Sequence, residues 1–365
     1  MGFNCGIVGL PNVGKSTIFN ALTRGKAQAA NYPFCTIDPN VGIVPVPDLR
    51  LEKINSILPA EKVIYTTVEI VDIAGLVKGA AEGQGLGNQF LSHIGSVDAI
   101  LQVVRLFDDK DVVHVMGDID PVRDIDIIQT ELLLKDIEIL TKTTERLGKM
   151  TKSGDKTALF QHATSQKALA VASKGDPLRR TEWTPEETVF LKTLNLLTSK
   201  PILYVANVDE GSIAKPPVEQ LKKLEDHAKQ NGSRVVVISG KIEEEISQLE
   251  PEERKEFLAS LGLKEPGLSR LVREGYGLLD LITFFTSGPK ENRAWTVAGG
   301  SKAPQAAGAI HSDFERGFIR AEVIGYDDFV ALGGEAGART AGKLRLEGKE
   351  YTVRDGDVMH FRFNV

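Results

Sequence analysis

The sequence predicts an α/β protein with a long helical insert, followed by a smaller α+β domain. Three observations carry this. Residues 9–17 (GLPNVGKST) fit G-x-x-x-x-G-K-[ST], a phosphate-binding loop, and they follow an apolar run of Phe3, Cys5, Ile7 and Val8 that reads as a buried parallel strand. Further strand-like runs at 65–71, 99–105, 201–206 and 234–238 alternate with helical stretches. From about residue 280 the texture changes to short strands, helix and turns.

The chain has 365 residues, enough for two or three domains with a real core. With 42% hydrophobic and 26% charged residues, its composition is that of an ordinary soluble globular protein. No apolar run approaches a membrane span, and the N-terminus lacks the basic region and apolar core of a secretory signal. Met-Gly at the start invites a myristoylation check, but Gly6 stands where Ser or Thr is wanted. Two cysteines, Cys5 and Cys35, argue for a reducing, cytoplasmic setting and against a disulfide scaffold. Cys5 reads as a small core hydrophobe, and Cys35 has no neighbouring base to activate it. The formal charge of -6 gives no global signal for nucleic-acid binding, which leaves only a local basic patch.

Taken in order, the first element is strand, glycine loop and helix. Gly9 and Gly14 let the backbone turn closely round a phosphate, and the loop N–H groups with the helix N-terminus face the anion. Lys15 is expected to reach the β- and γ-phosphates and the Ser16 hydroxyl to bind Mg²⁺. Residues 27–40, with two prolines and two asparagines near Thr36, form a loop. On position alone, Thr36 fits either a switch threonine reaching Mg²⁺ or an ordinary surface turn. The strand at 65–71 ends in Asp72-Ile73-Ala74-Gly75, a D-x-x-G, with Asp72 expected to hold Mg²⁺ through water and the Gly75 N–H to meet the γ-phosphate. Leu76 follows where many GTPases place a water-orienting glutamine, so hydrolysis is expected to be slow or to use another group. The glycine-rich stretch 78–88 suits a loop that orders on binding triphosphate. His93 falls on a helix and reads as a surface histidine; His114, alone in an apolar run, reads as buried or at an edge.

Residues 121–200 form the helical insert. Leu133, Ile137, Leu140, Thr144 and Leu147 step as a heptad seam, and a break at 153–155 precedes a second helix over 158–173, so an antiparallel hairpin is expected. Its first helix, over 124–149, would be about 38 Å long. Lys142, Arg146, Lys149, Lys152 and Lys156 cluster at the tip, where simple solvation and contact with RNA phosphates both fit. Thr184-Pro185-Glu186-Glu187 announces the next helix with a capping box. The strand at 201–206 delivers Asn207-Val208-Asp209-Glu210 where a GTPase carries N-K-x-D. In that motif the aspartate accepts two hydrogen bonds from guanine. Here Glu210 occupies its place and would crowd guanine, whereas adenine offers neither donor. ATP preference follows, unless a one-residue shift lets Asp209 read guanine. The last strand, 234–238, leads to Ser239-Gly240-Lys241 beside the base, and residues 243–274 are charged and helical.

These residues resemble the Obg-like ATPases of the YchF subfamily, among the translation-factor-related P-loop proteins. The carriers are residues 9–17, 31–36, 72–88, 207–210 and 303–321 (APQAAGAIHSDFERGFIRA). The resemblance covers essentially the whole chain. It implies a Ras-like P-loop G domain of the Obg type with a coiled-coil insert at about 121–200, within residues 1–279. It further implies a ubiquitin-like β-grasp TGS domain at 280–365. It implies ATP hydrolysis in preference to GTP and association with ribosomes, through the hairpin tip, the TGS domain or both. The implied nucleotide site takes in Asn12, Val13, Gly14, Lys15, Ser16, Thr17, Gly75, Asn207, Val208, Glu210, Ser239 and Gly240, with Ser16, Thr36 and Asp72 at Mg²⁺. His114 becomes a candidate, with Lys15, for the catalytic part that Leu76 cannot fill, and Asn12 matches an asparagine that related proteins use to place K⁺. A monomer without membrane contact is expected. Competing readings are a GTPase of the same architecture, a small-molecule kinase, against which the D-x-x-G and the C-terminal module speak, and a stress-linked regulator whose nucleotide only sets its shape.

Overall fold

The computed structural model describes residues 3–24, 41–73, 85–108, 118–213 and 215–364. The chain divides into two compact units. The larger takes in Asn4–Gly42 and Glu69–Gly275, the smaller Met1–Phe3, Ile43–Val68 and Tyr276–Val365.

The first sheet contains β1 (Phe3–Val8), β2 (Val41–Pro45), β4 (Thr67–Asp72), β5 (Ala99–Arg105), β6 (Ile202–Asn207) and β7 (Arg234–Ile238), in the order β2-β4-β1-β5-β6-β7. The pairs β1–β5, β5–β6 and β6–β7 are parallel. Every residue of β5 and β6 is buried, which explains their mostly apolar sequences, AILQVVR and ILYVAN. Chain order reverses at β1, so the carboxyl end of this strand opens a crevice where such sheets bind ligands. Helices α1 (Lys15–Arg24) and α3 (Gly85–Ser96) belong to the same unit.

The insert begins with α4 (Pro121–Met150), capped by Asp120, whose carboxylate accepts from the N–H groups of Val122 and Arg123. At 30 residues it is about 45 Å long, a turn longer than the expected 124–149. A 3₁₀ turn over Thr151–Ser153 and a left-handed Gly154 reverse the chain into α5 (Lys156–Ser173), giving the expected hairpin. Leu133, Leu140 and Leu147 of the seam are buried against Ala168, Ala172, Leu178, Phe190 and Leu191. The next helix, α6 (Pro185–Lys192), carries the expected capping box between Thr184 and Glu187. The helices α7 (Val218–Gln230), α8 (Gly240–Ile246), α9 (Pro251–Ser260) and α10 (Gly267–Leu278) follow in this unit, although the end of α10 crosses the division.

The smaller unit holds a mixed sheet in the order β11-β10-β12-β8-β9-β3. Its strands are β3 (Lys62–Ile64), β8 (Leu281–Thr286), β9 (Glu291–Ala298), β10 (Phe318–Ile324), β11 (Arg345–Glu347) and β12 (Val358–Phe363). Its short helices are α11 (Ala303–Ile310), α12 (Ser312–Arg316), α13 (Tyr326–Ala331) and α14 (Glu335–Thr340). One core sets Ala303, Ala306 and Ala307 against Phe284, Phe318 and Phe361, where alanine lets α11 lie close to the sheet. A second core joins Phe285, Ile324, Phe329 and Val358 to Leu51 and Ile54 of α2 (Leu49–Ile57).

That second core corrects the expected division at 279/280. Residues 43–68 pack with the C-terminal unit, and β3 pairs with β9 in parallel. Arg50 bonds to Asp48 and Asp355, tying the two stretches together. The physical reason is that Leu51, Ile54 and the β3 edge find their apolar and ladder partners some way down the chain, which local sequence pattern does not reveal. Among the described residues, no helix is long and apolar enough to cross a membrane.

Candidate functional site

The loop after β1 takes the shape its glycines allow. Gly14 has φ of +95°, and a Cβ there would lie 2.2 Å from Nδ2 of Asn207. A Cβ at Gly9 would lie 2.7 Å from the carbonyl of Val103. Asn12 also takes a left-handed φ of +63°, which asparagine tolerates. The first turn of α1 closes with Ile18 N–H donating to the Gly14 carbonyl at 3.1 Å.

Lys15 is buried, and its Nζ donates to the Leu10 carbonyl at 2.7 Å. Burial holds its ammonium below the usual lysine range, with the Asp72 carboxylate pulling the other way. Asp72 closes β4, and burial pushes its carboxyl up while the Lys15 ammonium lowers it. Lys15 follows β1 and Asp72 ends β4, the strand beside it, so both charges stand at the carboxyl ends of neighbouring strands. Ser16 is exposed on the first turn of α1, and Thr17 lies under Gly240, where a Cβ would sit 3.4 Å from Cγ2 of Thr17. The Ser16 hydroxyl and the Asp72 carboxylate are hard oxygen donors of the kind Mg²⁺ takes.

Asn207, at the end of β6, is buried and fully engaged. Its Nδ2 donates to the Val13 carbonyl at 2.9 Å, and its Oδ1 accepts from Gly240 N–H at 2.9 Å. It therefore staples the phosphate loop to the loop after β7. The sequence reading places Asn207 in the nucleotide site but does not foresee this staple, whose partners are two backbone groups. Val208 is buried and donates its N–H to Ile238 at 2.9 Å. Asp209 has both carboxylate oxygens committed, one to Ser212 N–H at 2.9 Å and one to Ser212 Oγ at 2.7 Å. Glu210 is exposed and opens the short turn Glu210–Ser212. Ser239 is buried at the N-cap position of α8 without a side-chain capping bond, and its Oγ has no hydrogen-bond partner among the described residues.

The structure thus gathers Val13, Gly14, Lys15, Asp72, Asn207 and Gly240. Thr36, Gly75 and His114, with Leu76, lie outside the described residues. His93 is exposed on α3, as expected. Arg105 was not anticipated as part of the site's surroundings. It ends β5 in register with Asn207, is buried, and donates from Nε to the Phe107 carbonyl at 3.0 Å with its guanidinium over the Phe107 ring. The available signal was a charge at the end of a strand that is apolar apart from Gln102.

A sheet whose strands β1, β5, β6 and β7 run parallel, with a glycine loop at its point of reversal, a lysine inside the loop and a carboxylate on the neighbouring strand, defines a P-loop nucleotide-binding protein of the GTPase type, here with a separate C-terminal α+β domain. Residues 4–143 match the family described as 50S ribosome-binding GTPase, and residues 281–364 match the YchF-GTPase C-terminal family, described as a protein of unknown function. The chain is 55% identical over 365 residues to the ribosome-binding ATPase YchF of Haemophilus ducreyi, and 54% identical over 366 residues to that of Bacillus subtilis, covering 100% of each. The solved structure of the Schizosaccharomyces pombe YchF GTPase matches with a TM-score of 0.89 at 39% identity, over 99% of this chain and 98% of that one. The chain belongs to the YchF family.

Proposed function

We propose that this protein is a Mg²⁺-dependent ATPase that prefers ATP to GTP and acts in the cytoplasm as a nucleotide-controlled switch on ribosomes. The observation that carries the base preference is the state of residues 207–210. The one aspartate there is already bonded twice to Ser212, and the residue in the guanine-reading place is an exposed glutamate. Guanine would find no free aspartate to accept its two N–H groups, while adenine asks for none. A GTPase of the same architecture is the second reading, favoured by the name of the S. pombe structure.

Lys15 would exchange the Leu10 carbonyl for a β- or γ-phosphate oxygen, which removes the cost of its buried charge. Ser16, Asp72 and Thr36 would hold Mg²⁺, which when bound neutralises charge developing on the phosphates. The Gly75 N–H would contact the γ-phosphate. With Leu76 unable to orient water, turnover without a partner is slow, and His114 is the residue offered for that task. Asn12 is the residue offered for a K⁺ ion. The C-terminal unit reads as a ubiquitin-like β-grasp TGS domain. Support comes from the parallel pairing of β8 with β12, the first and last strands after residue 280, with α11 packed on the sheet.

The ribosome contact is assigned to the hairpin tip. Lys149, Lys152 and Lys156 are exposed there, together with Met150, Leu159 and Phe160, in a chain that is acidic as a whole. Co-sedimentation with ribosomes, alongside phosphate release from ATP, tests the proposal. Binding that depends on the bound nucleotide and a ribosome-stimulated ATPase rate are expected. Equal binding in all nucleotide states with no turnover would overturn it.

A further inference from the structure

The base loop is bonded to the protein at three successive residues. Asn207 is stapled at both ends of its amide, Val208 is buried and bonded to Ile238, and the next carboxylate is bonded to Ser212. We propose that Ser212 is a specificity-determining residue: by donating twice to Asp209, it withholds the only aspartate of the base loop from guanine. The inference rests on the ATP reading above and names the group that enforces it.

The chemistry is that of a competed acceptor. A carboxylate that reads guanine must turn both oxygens toward N1–H and the 2-amino group. In this protein Oδ1 of Asp209 accepts from Ser212 N–H at 2.9 Å and Oδ2 from Ser212 Oγ at 2.7 Å. The Ser212 N–H also meets the Asp209 carbonyl at 3.1 Å, which fixes the turn that aims the side chain. Guanine would have to break both carboxylate bonds and leave the Ser212 hydroxyl to water. Adenine lacks both donors and loses nothing by the arrangement. Selection here works by removing the acceptor that the wrong base needs. Ser212 is a positioning residue, since it acts through Asp209 and does not itself touch nucleotide.

The test is calorimetry of the full chain with Mg²⁺ and ATP, GTP or ITP, on wild type, Ser212→Ala, Ser212→Thr and the double variant Ser212→Ala with Asp209→Ala. Ser212→Ala removes the Oγ donor and leaves the backbone N–H. GTP affinity relative to ATP is expected to rise about ten-fold in Ser212→Ala. Ser212→Thr, which restores a hydroxyl, should keep the wild-type ratio. The gain should vanish in the double variant. It should also be smaller for ITP, which lacks the 2-amino donor. An unchanged ratio in Ser212→Ala, or a gain that survives loss of Asp209, overturns the role of Ser212 while leaving the ATP preference of the wild type standing. A wild type that already binds GTP more tightly than ATP overturns both.

Discussion

Burial opposes the charges of Lys15 and Asp72 in the nucleotide-free protein. The lysine is held below its ordinary value and the aspartate above its own, each chiefly by desolvation. The pH consequences have opposite signs. A raised carboxyl value means that the folded state keeps its proton longer, so stability falls as pH rises from the ordinary aspartate value through the raised one. A lowered lysine value means that the folded state gives up its proton sooner, so stability rises as pH climbs from the lowered value to the ordinary one. Where both groups are ionised both penalties stand, and polyphosphate with Mg²⁺ relieves them. Asp72→Asn is therefore expected to raise Tm of the nucleotide-free protein by about 2 °C at pH 7. The gain should shrink near pH 4, and Mg²⁺-nucleotide affinity should fall by about ten-fold or more. Scanning calorimetry at the two pH values and nucleotide titration check both halves. Gly14→Ala has a different cause: a Cβ 2.2 Å from the Asn207 amide, at φ of +95°, cannot coexist with the staple. The expected result is loss of measurable nucleotide binding with the protein still folded, read by titration beside circular dichroism.

At the scale of elements, β6 carries the site at one end and the helical insert at the other. Asp136 on α4 is fully buried, and its carboxylate accepts from Leu197 N–H at 2.7 Å, Thr198 N–H at 2.8 Å and Thr198 Oγ1 at 2.6 Å. These bonds fix the 3₁₀ turn Leu197–Ser199 just ahead of β6. Asp136→Ala would leave three buried donors unmet and is expected to cost about 3 kcal/mol, measured as a shift in urea midpoint. Periodicity alone revealed the insert, because Leu133, Leu140 and Leu147 repeat on one face and the Thr184 capping box is local. Asp136 was not legible in that way. Its partners lie about sixty residues on, in a turn with no pattern of its own. The same limit hid the Asn207 staple, since Val13 and Gly240 contribute only backbone atoms.

For the whole molecule, the order of elements was readable and the grouping of them was not. The phosphate loop, the D-x-x-G strand and the Asn207 strand each carry a local signature of residue type and spacing, and the structure brings Lys15, Asp72 and Asn207 to the carboxyl ends of one sheet. The stretch ahead of the D-x-x-G strand carries no such signature, and its place is shown by the contact of Leu51 and Ile54 with the C-terminal core, the β3–β9 pairing and the Arg50–Asp355 bond. Function at this scale depends on charge as well as fold. Reversing Lys149, Lys152 and Lys156 to glutamate should weaken ribosome binding and flatten its dependence on salt by about two units in the log–log slope. Sedimentation across a salt series reads this, and an unchanged slope would move the contact away from the tip.

The central claim is that this P-loop site selects ATP. Its most direct measurement is the affinity of the wild-type protein for ATP and for GTP by calorimetry in the presence of Mg²⁺, with Glu210→Asp beside it. The account predicts tighter binding of ATP by the wild type and a recovery of GTP binding in the variant, where an aspartate returns to the guanine-reading position. Tighter binding of GTP by the wild type would contradict it and make Asp209 the residue that reads the base.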